Sequence, residues 1–105
     1  MKALGHLELH RSEIEALCSK YGVRKLRVFG SSVREDWSET KSDIDLIAEF
    51  GPAPEGINRF EQQFGLQVEL EALLGRKVDL VDWAAAKKPI FRQVAESQAQ
   101  DWYAA

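Results

Sequence analysis

The chain has 105 residues, 45% of them apolar, and a net charge of −3 at pH 7; it is long enough for one domain with its own core, and too acidic to hold nucleic acid by general electrostatics, which needs a basic surplus. The single cysteine, Cys18, excludes an internal disulfide and a cysteine-built zinc site and fits a reducing compartment. No apolar run approaches the about 18 residues of a membrane span, and His6 and Glu8 fall where a secretion signal needs continuous apolar sequence, so a cytoplasmic protein without a membrane segment is expected.

In chain order, Ser12 with Glu15 reads as a capping box. It opens a short helix whose buried stripe is Ile14, Leu17, Cys18 and Tyr21, and Gly22 stops it. On that stripe Cys18 is a core residue rather than a nucleophile. His6 and His10 have a helical ligand spacing, but with no further ligand nearby they read as surface histidines. Residues 25–29 alternate, Leu26 and Val28 against Arg27 and Phe29, and predict a strand ending at Gly30. Residues 31–37 read as a short helix and 38–42 as a polar loop. Residues 43–50 alternate again and predict a second strand, with Ile44, Leu46, Ala48 and Phe50 on one face and Asp43, Asp45, Ile47 and Glu49 on the other.

Residues 51–56, rich in Gly and Pro, are a loop. Asn58 with Glu61 caps a long helix with a stripe of Leu66, Leu70, Leu73 and Leu74, ended by Gly75. Residues 77–81 predict a third strand, Asp82 caps the segment after it, and Pro89 opens a last helix carrying Ile90, Phe91, Val94 and Ala95. Residues 98–105 receive no element. The alternation of helices and strands predicts an α/β (α+β) domain, a small mixed sheet flanked by helices.

Three features carry chemistry. Gly30-Ser31 follows a strand and opens a helix, where a glycine lets backbone approach a ligand and the free N–H groups at a helix start suit phosphate. Asp43 and Asp45 share one strand face, and their mutual repulsion is most simply offset by a divalent cation. The bland alternative is a solvated strand face. Asp79 sits in the middle of an apolar strand; if that strand lies beside the second, the three carboxylates form an oxygen-rich site suited to Mg²⁺ and phosphate oxygens.

Val28-Phe29-Gly30-Ser31, Arg34, Ser42-Asp43-Ile44-Asp45-Leu46 and Val78-Asp79-Leu80-Val81 together resemble the MNT-type minimal nucleotidyltransferases of the DNA polymerase beta-like superfamily. The resemblance runs from Leu26 to Val81. It implies the polymerase beta-like fold, with Gly30 and Ser31 holding the triphosphate of ATP, and Asp43, Asp45 and Asp79 forming the Mg²⁺ site and catalytic set. Arg34, through its fork of donors, is expected on a phosphate. The resemblance also implies a partner: many such proteins are antitoxins that add AMP to a tyrosine of a HEPN-domain ribonuclease toxin. Glu35 departs from the family pattern, where a glycine usually follows the arginine, and the loop to Asp43 is about one residue longer.

Larger members of the superfamily carry a helical acceptor-binding domain that this sequence does not contain, so the acceptor is expected to arrive as a folded partner. Trp83, Trp102 and Tyr103 are candidates for that contact, with core packing the alternative for Trp83. The competing readings are an antitoxin that neutralises by occlusion alone, with vestigial nucleotide binding, and a small-molecule nucleotidyltransferase.

Overall fold

The computed structural model describes residues 3–33 and 43–105, the side chains of Ser31 and Val33 excepted. The helices are α1 (Ala3–Glu8), α2 (Arg11–Lys20), α3 (Arg59–Leu74) and α4 (Pro89–Gln98); the strands are β1 (Val23–Val28), β2 (Ile44–Phe50), β3 (Val78–Asp82) and β4 (Gln100–Ala104). Short 3-10 turns occupy Gly30–Val33 and Trp83–Ala85.

Period-two alternation builds the sheet and gives it its core face. Val23, Leu26 and Val28 of β1, Ile44, Leu46 and Ala48 of β2, Val78 and Leu80 of β3 and Trp102 of β4 are all buried in one cluster. A register shift between Val23 and Lys25 returns Val23 to that face. Helical spacing supplies the other layer: Leu7 of α1, Ile14 and Cys18 of α2, and Leu66, Leu70 and Leu74 of α3. Each fully buried leucine is worth about 1.5–3 kcal/mol of transfer free energy.

The strand order is β3-β2-β1-β4. β1 pairs antiparallel with β2 and β4, while β2 and β3 run parallel, joined by α3. The sheet is therefore mixed, as expected. β3 is an edge strand, and α3 covers that edge with side chains one turn apart. Gln63 donates to the Leu80 carbonyl at 3.2 Å, Gln67 donates to the Val78 carbonyl at 2.9 Å, and the Glu71 carboxylate accepts the Val78 N–H at 2.9 Å. An unpaired strand edge is a template for aggregation, and these contacts blunt it.

The second sheet face carries the acids and a smaller cover. Ile47 is fully buried although it shares that face; the Trp83–Ala85 turn packs on β2. Phe91 of α4 meets Phe29 edge-on at 5.8 Å, and Arg92 donates to the carbonyls of Trp83 at 2.9 Å and Ala86 at 2.6 Å.

Several local expectations need correcting. Helix α2 begins at Arg11 after His10 and has no side-chain cap, so Ser12 lies inside the helix rather than at its start. A further helix, α1, precedes it, and residues 100–104, to which the sequence assigned no element, form β4. On α4 only Ala95 is buried; Ile90 and Val94 are exposed. The Asn58 cap is as expected, its side chain accepting the Glu61 N–H at 2.8 Å. So is the Asp82 cap, which accepts from Ala84 at 3.0 Å. No helix among the described residues is long and apolar enough to cross a membrane.

Candidate active site

At the end of β1 the chain turns at Gly30, whose φ of +63° is the left-handed region that an L side chain resists. A second constraint reinforces the first. A Cβ at Gly30 would lie 2.8 Å from Oδ2 of Asp45, so the turn backbone rests against that carboxylate.

The pairing of β2 with β3 brings the acids together. Asp45 and Asp79 are register partners across the parallel pair, so their side chains leave the same sheet face on neighbouring strands, about 4.8 Å apart along the hydrogen-bonding direction. Asp43, two residues before Asp45, continues the same alternation. Asp43 and Asp45 are half-buried and Asp79 is exposed. Three carboxylates on one small patch are hard oxygen donors whose repulsion a divalent cation relieves. Among the described residues no three acidic, histidine or cysteine side chains already converge into an ion-sized cage. The fit rests instead on the chemistry of the donors: hard carboxylate oxygens on one sheet face, of the kind that Mg²⁺ takes together with substrate phosphates. The donor set therefore fits a metal that arrives with a triphosphate.

Ser32, which the sequence did not mark, is the polar residue that ties this patch together. It is 1% exposed; its Oγ accepts the Asp45 N–H at 2.8 Å and donates to the Asp43 carbonyl at 3.4 Å. Its only signal in the sequence is a second hydroxyl directly after Gly30-Ser31. Beside the acids, the Trp83 ring is approached by two guanidiniums, Arg27 at 4.6 Å and Arg92 at 4.0 Å. Arg27 also pairs with Glu49 at 2.9 Å.

Of the six residues expected at the site, Gly30, Asp43, Asp45 and Asp79 lie on one side of the sheet around the turn. Ser31 belongs to the 3-10 turn, while its side chain and all of Arg34 lie outside the described residues. The same is true of Glu35. Cys18 is fully buried, and burial pushes its thiol up to about 12, which leaves it packed and inert. His6 donates to the Leu74 carbonyl at 3.1 Å if its Nε2 carries the proton, and His10 pairs with Glu13 at 3.2 Å. Trp102, expected as a partner contact, is instead core: it is 8% exposed, with Arg11 stacked 4.0 Å above its ring. Tyr103 also packs against the core.

A glycine turn beside carboxylates on neighbouring strands suits nucleotidyl transfer chemically, and comparison with known proteins gives the family of the chain. The nucleotidyltransferase domain family matches residues 11–101. A candidate protein adenylyltransferase of Methanocaldococcus jannaschii is 37% identical over 97 residues, 91% of this chain and 94% of that protein. The protein adenylyltransferase MntA of Thermococcus cleftensis is 38% identical over 88 residues, 84% of this chain and 81% of that protein. A solved minimal nucleotidyltransferase superposes with a TM-score of 0.74 at 33% identity, covering 95% of both chains. At 22% identity the fold extends to a toxin–antitoxin complex with AMP-PNP, with a TM-score of 0.65 over 90% of this chain and 73% of that one. It extends likewise to an MNT antitoxin in complex with its tri-AMPylated Shewanella oneidensis HEPN toxin, with a TM-score of 0.63 over 93% and 72%. The chain belongs to the nucleotidyltransferase domain family. Within that family it is an MntA-like protein adenylyltransferase.

Proposed function

We propose that this protein transfers AMP from ATP to a tyrosine hydroxyl of a HEPN-domain toxin, in a Mg²⁺-dependent reaction, and thereby acts as the antitoxin. The observation that carries the reading is the register pairing of Asp45 with Asp79, with Asp43 on the same face and the Gly30 turn alongside. A toxin–antitoxin complex with AMP-PNP and an MNT antitoxin in complex with a tri-AMPylated HEPN toxin support the choice of nucleotide and partner.

In this reading the backbone at Gly30 and Ser31 receives the triphosphate, and Arg34 pairs with a phosphate oxygen. Asp43, Asp45 and Asp79 would hold Mg²⁺, which would supply neutralisation of the charge developing on the phosphates. The tyrosine oxygen forms a bond to the α-phosphorus as the bond to the pyrophosphate bridging oxygen breaks, and pyrophosphate leaves. The phenolic proton passes to Asp79 or to a base beside it. Glu49, farther along the same face of β2, is paired with Arg27.

The test is to co-purify the chain with its cellular HEPN partner, add ATP and Mg²⁺, and read intact masses of both proteins. The expected result is a gain of AMP on the partner, mapped to tyrosine and abolished by Asp43→Asn or Asp45→Asn with the fold retained. A partner that is neutralised without gaining mass would make this protein an antitoxin by occlusion. Absence of any complex and of any transfer would overturn the assignment.

A further inference from the structure

The last rung between β1 and β2 is built in an unusual way. Phe29 donates its N–H to the Asp45 carbonyl at 3.1 Å. In a regular antiparallel pair the two residues exchange both bonds, so the Asp45 N–H would return to the Phe29 carbonyl. That carbonyl instead accepts the Ser32 N–H at 3.3 Å, because the chain has turned away at Gly30. The Asp45 N–H is left without its ladder partner, and the Ser32 hydroxyl takes it at 2.8 Å. Residues 43 and 45 present their backbone groups on the same strand edge, so the same hydroxyl also reaches the Asp43 carbonyl, at 3.4 Å.

We infer that Ser32 is a positioning residue for nucleotidyl transfer: its hydroxyl fixes the backbone of Asp43 and Asp45 to the Gly30 turn and so sets how the two carboxylates meet the metal. The inference rests on the proposed metal role of these acids. Ser32 is buried and held by protein groups, so it acts through Asp43 and Asp45 rather than on the nucleotide. Removing its hydroxyl leaves the Asp45 N–H unsatisfied and frees the end of β2, while the core cluster, which does not include Ser32, stays packed.

The experiment uses the full chain with its partner and compares wild type, Ser32→Ala and Ser32→Thr. Mn²⁺ binding in the presence of AMP-PNP is titrated by electron paramagnetic resonance, and AMP transfer is followed against Mg²⁺ concentration. Loss of an outer contact of this kind typically costs 10–100-fold in metal affinity or activity, so Ser32→Ala is expected to weaken Mn²⁺ binding about tenfold and to shift the Mg²⁺ requirement of transfer by about the same factor. Ser32→Thr, which keeps the hydroxyl, is expected to stay near wild type in both. Should Ser32→Ala not fold, Ser32→Cys, similar in size and a weak acceptor, replaces it in both measurements. Mn²⁺ affinity and Mg²⁺ dependence unchanged in Ser32→Ala, or a threonine variant as impaired as alanine, would overturn the inference. Wild-type protein that binds Mn²⁺ but transfers nothing would sink the proposed function, whereas a tenfold loss of Mn²⁺ affinity in Ser32→Ala of that protein would still uphold the part of the inference that sets the carboxylates at the metal. Wild-type transfer without any Mn²⁺ binding would sink the positioning role alone.

Discussion

Gly30 gives a sharp way to separate backbone strain from damage to the site. Gly30→Ala must hold an L residue at φ +63°, which costs about 1–2 kcal/mol. About 0.4–1 kcal/mol is offset because alanine restricts the unfolded chain. The net loss is therefore about 1 kcal/mol, and the melting temperature of a domain this size falls about 4–8 °C for each kcal/mol. Gly75 supplies the control. Its φ is +65°, and nothing lies within 4 Å of an added Cβ, so Gly75→Ala carries the same backbone cost without a collision. At Gly30 the new methyl would sit 2.8 Å from Oδ2 of Asp45, well inside ordinary contact. The carboxylate must swing aside or the turn must lift. A displacement near 1 Å at a reacting centre can cost about 100-fold in rate. Differential scanning calorimetry and AMP transfer, measured on both variants, are the assays. The thermal loss in Gly30→Ala is expected to equal or exceed that in Gly75→Ala, with a collapse of transfer only in Gly30→Ala. Equal transfer in the two variants would refute the contact between the turn and Asp45 as a feature of the working site.

Further outcomes are expected from the same geometry. Asp79→Asn is expected to reduce AMP transfer far more than ATP affinity, because its carboxylate acts on the proton and the metal during reaction; equal losses in the two would assign it to substrate binding. Cys18, buried and with its thiol pushed up to about 12, should resist alkylation at pH 8 in the native protein and react fully in denaturant, as read by mass spectrometry. The Tyr21 hydroxyl, then Lys20, hold the Glu69 carboxyl below its ordinary value, so Glu69 adds stability above the ordinary carboxylate pKa and loses it as pH falls through the lower folded value. Glu69 in turn raises Tyr21, which stabilises below the ordinary phenol pKa and stops doing so as pH rises through the higher folded value. Glu69→Gln should therefore flatten both the acid and the alkaline limbs of a stability–pH curve, and an unchanged curve would exclude the pairing.

Local sequence was sufficient wherever a backbone signal lay within a few residues of its effect. Asn58 caps α3 and Gly75 closes it because each acts on neighbouring N–H and carbonyl groups. Leu66, Leu70 and Leu74 share a helix face by spacing alone, and Leu26 with Val28 and Ile44 with Leu46 define the core side of the sheet by alternation. The pairing of Asp43 with Asp45 on one strand face is likewise a consequence of period two. Where signals were weak, local reading failed: Ser12 with Glu15 matched a capping pattern, but the helix has His10 at its N-cap position, two residues before Ser12.

The rest depended on which elements became neighbours, and that is set by the packing of distant segments. Asp79 joins the acids because β3 lies parallel to β2 in one register; a slip of one residue would turn it to the opposite face. The last residues form too short a run to announce a strand by alternation, yet β1 offers a free edge and β4 fills it. Trp102, conspicuous in sequence as an interface residue, is taken into the core by that pairing. Ser32 gained its role only when the chain turned at Gly30 and left the Asp45 N–H without a ladder partner. The sequence by itself determined most of the elements, the core faces and which acids share a strand face, because those follow from periodicity and local hydrogen bonding; tertiary structure alone decided which strands lie side by side and that Asp79 stands opposite Asp45, because register and strand order are fixed by contacts between residues far apart in the chain.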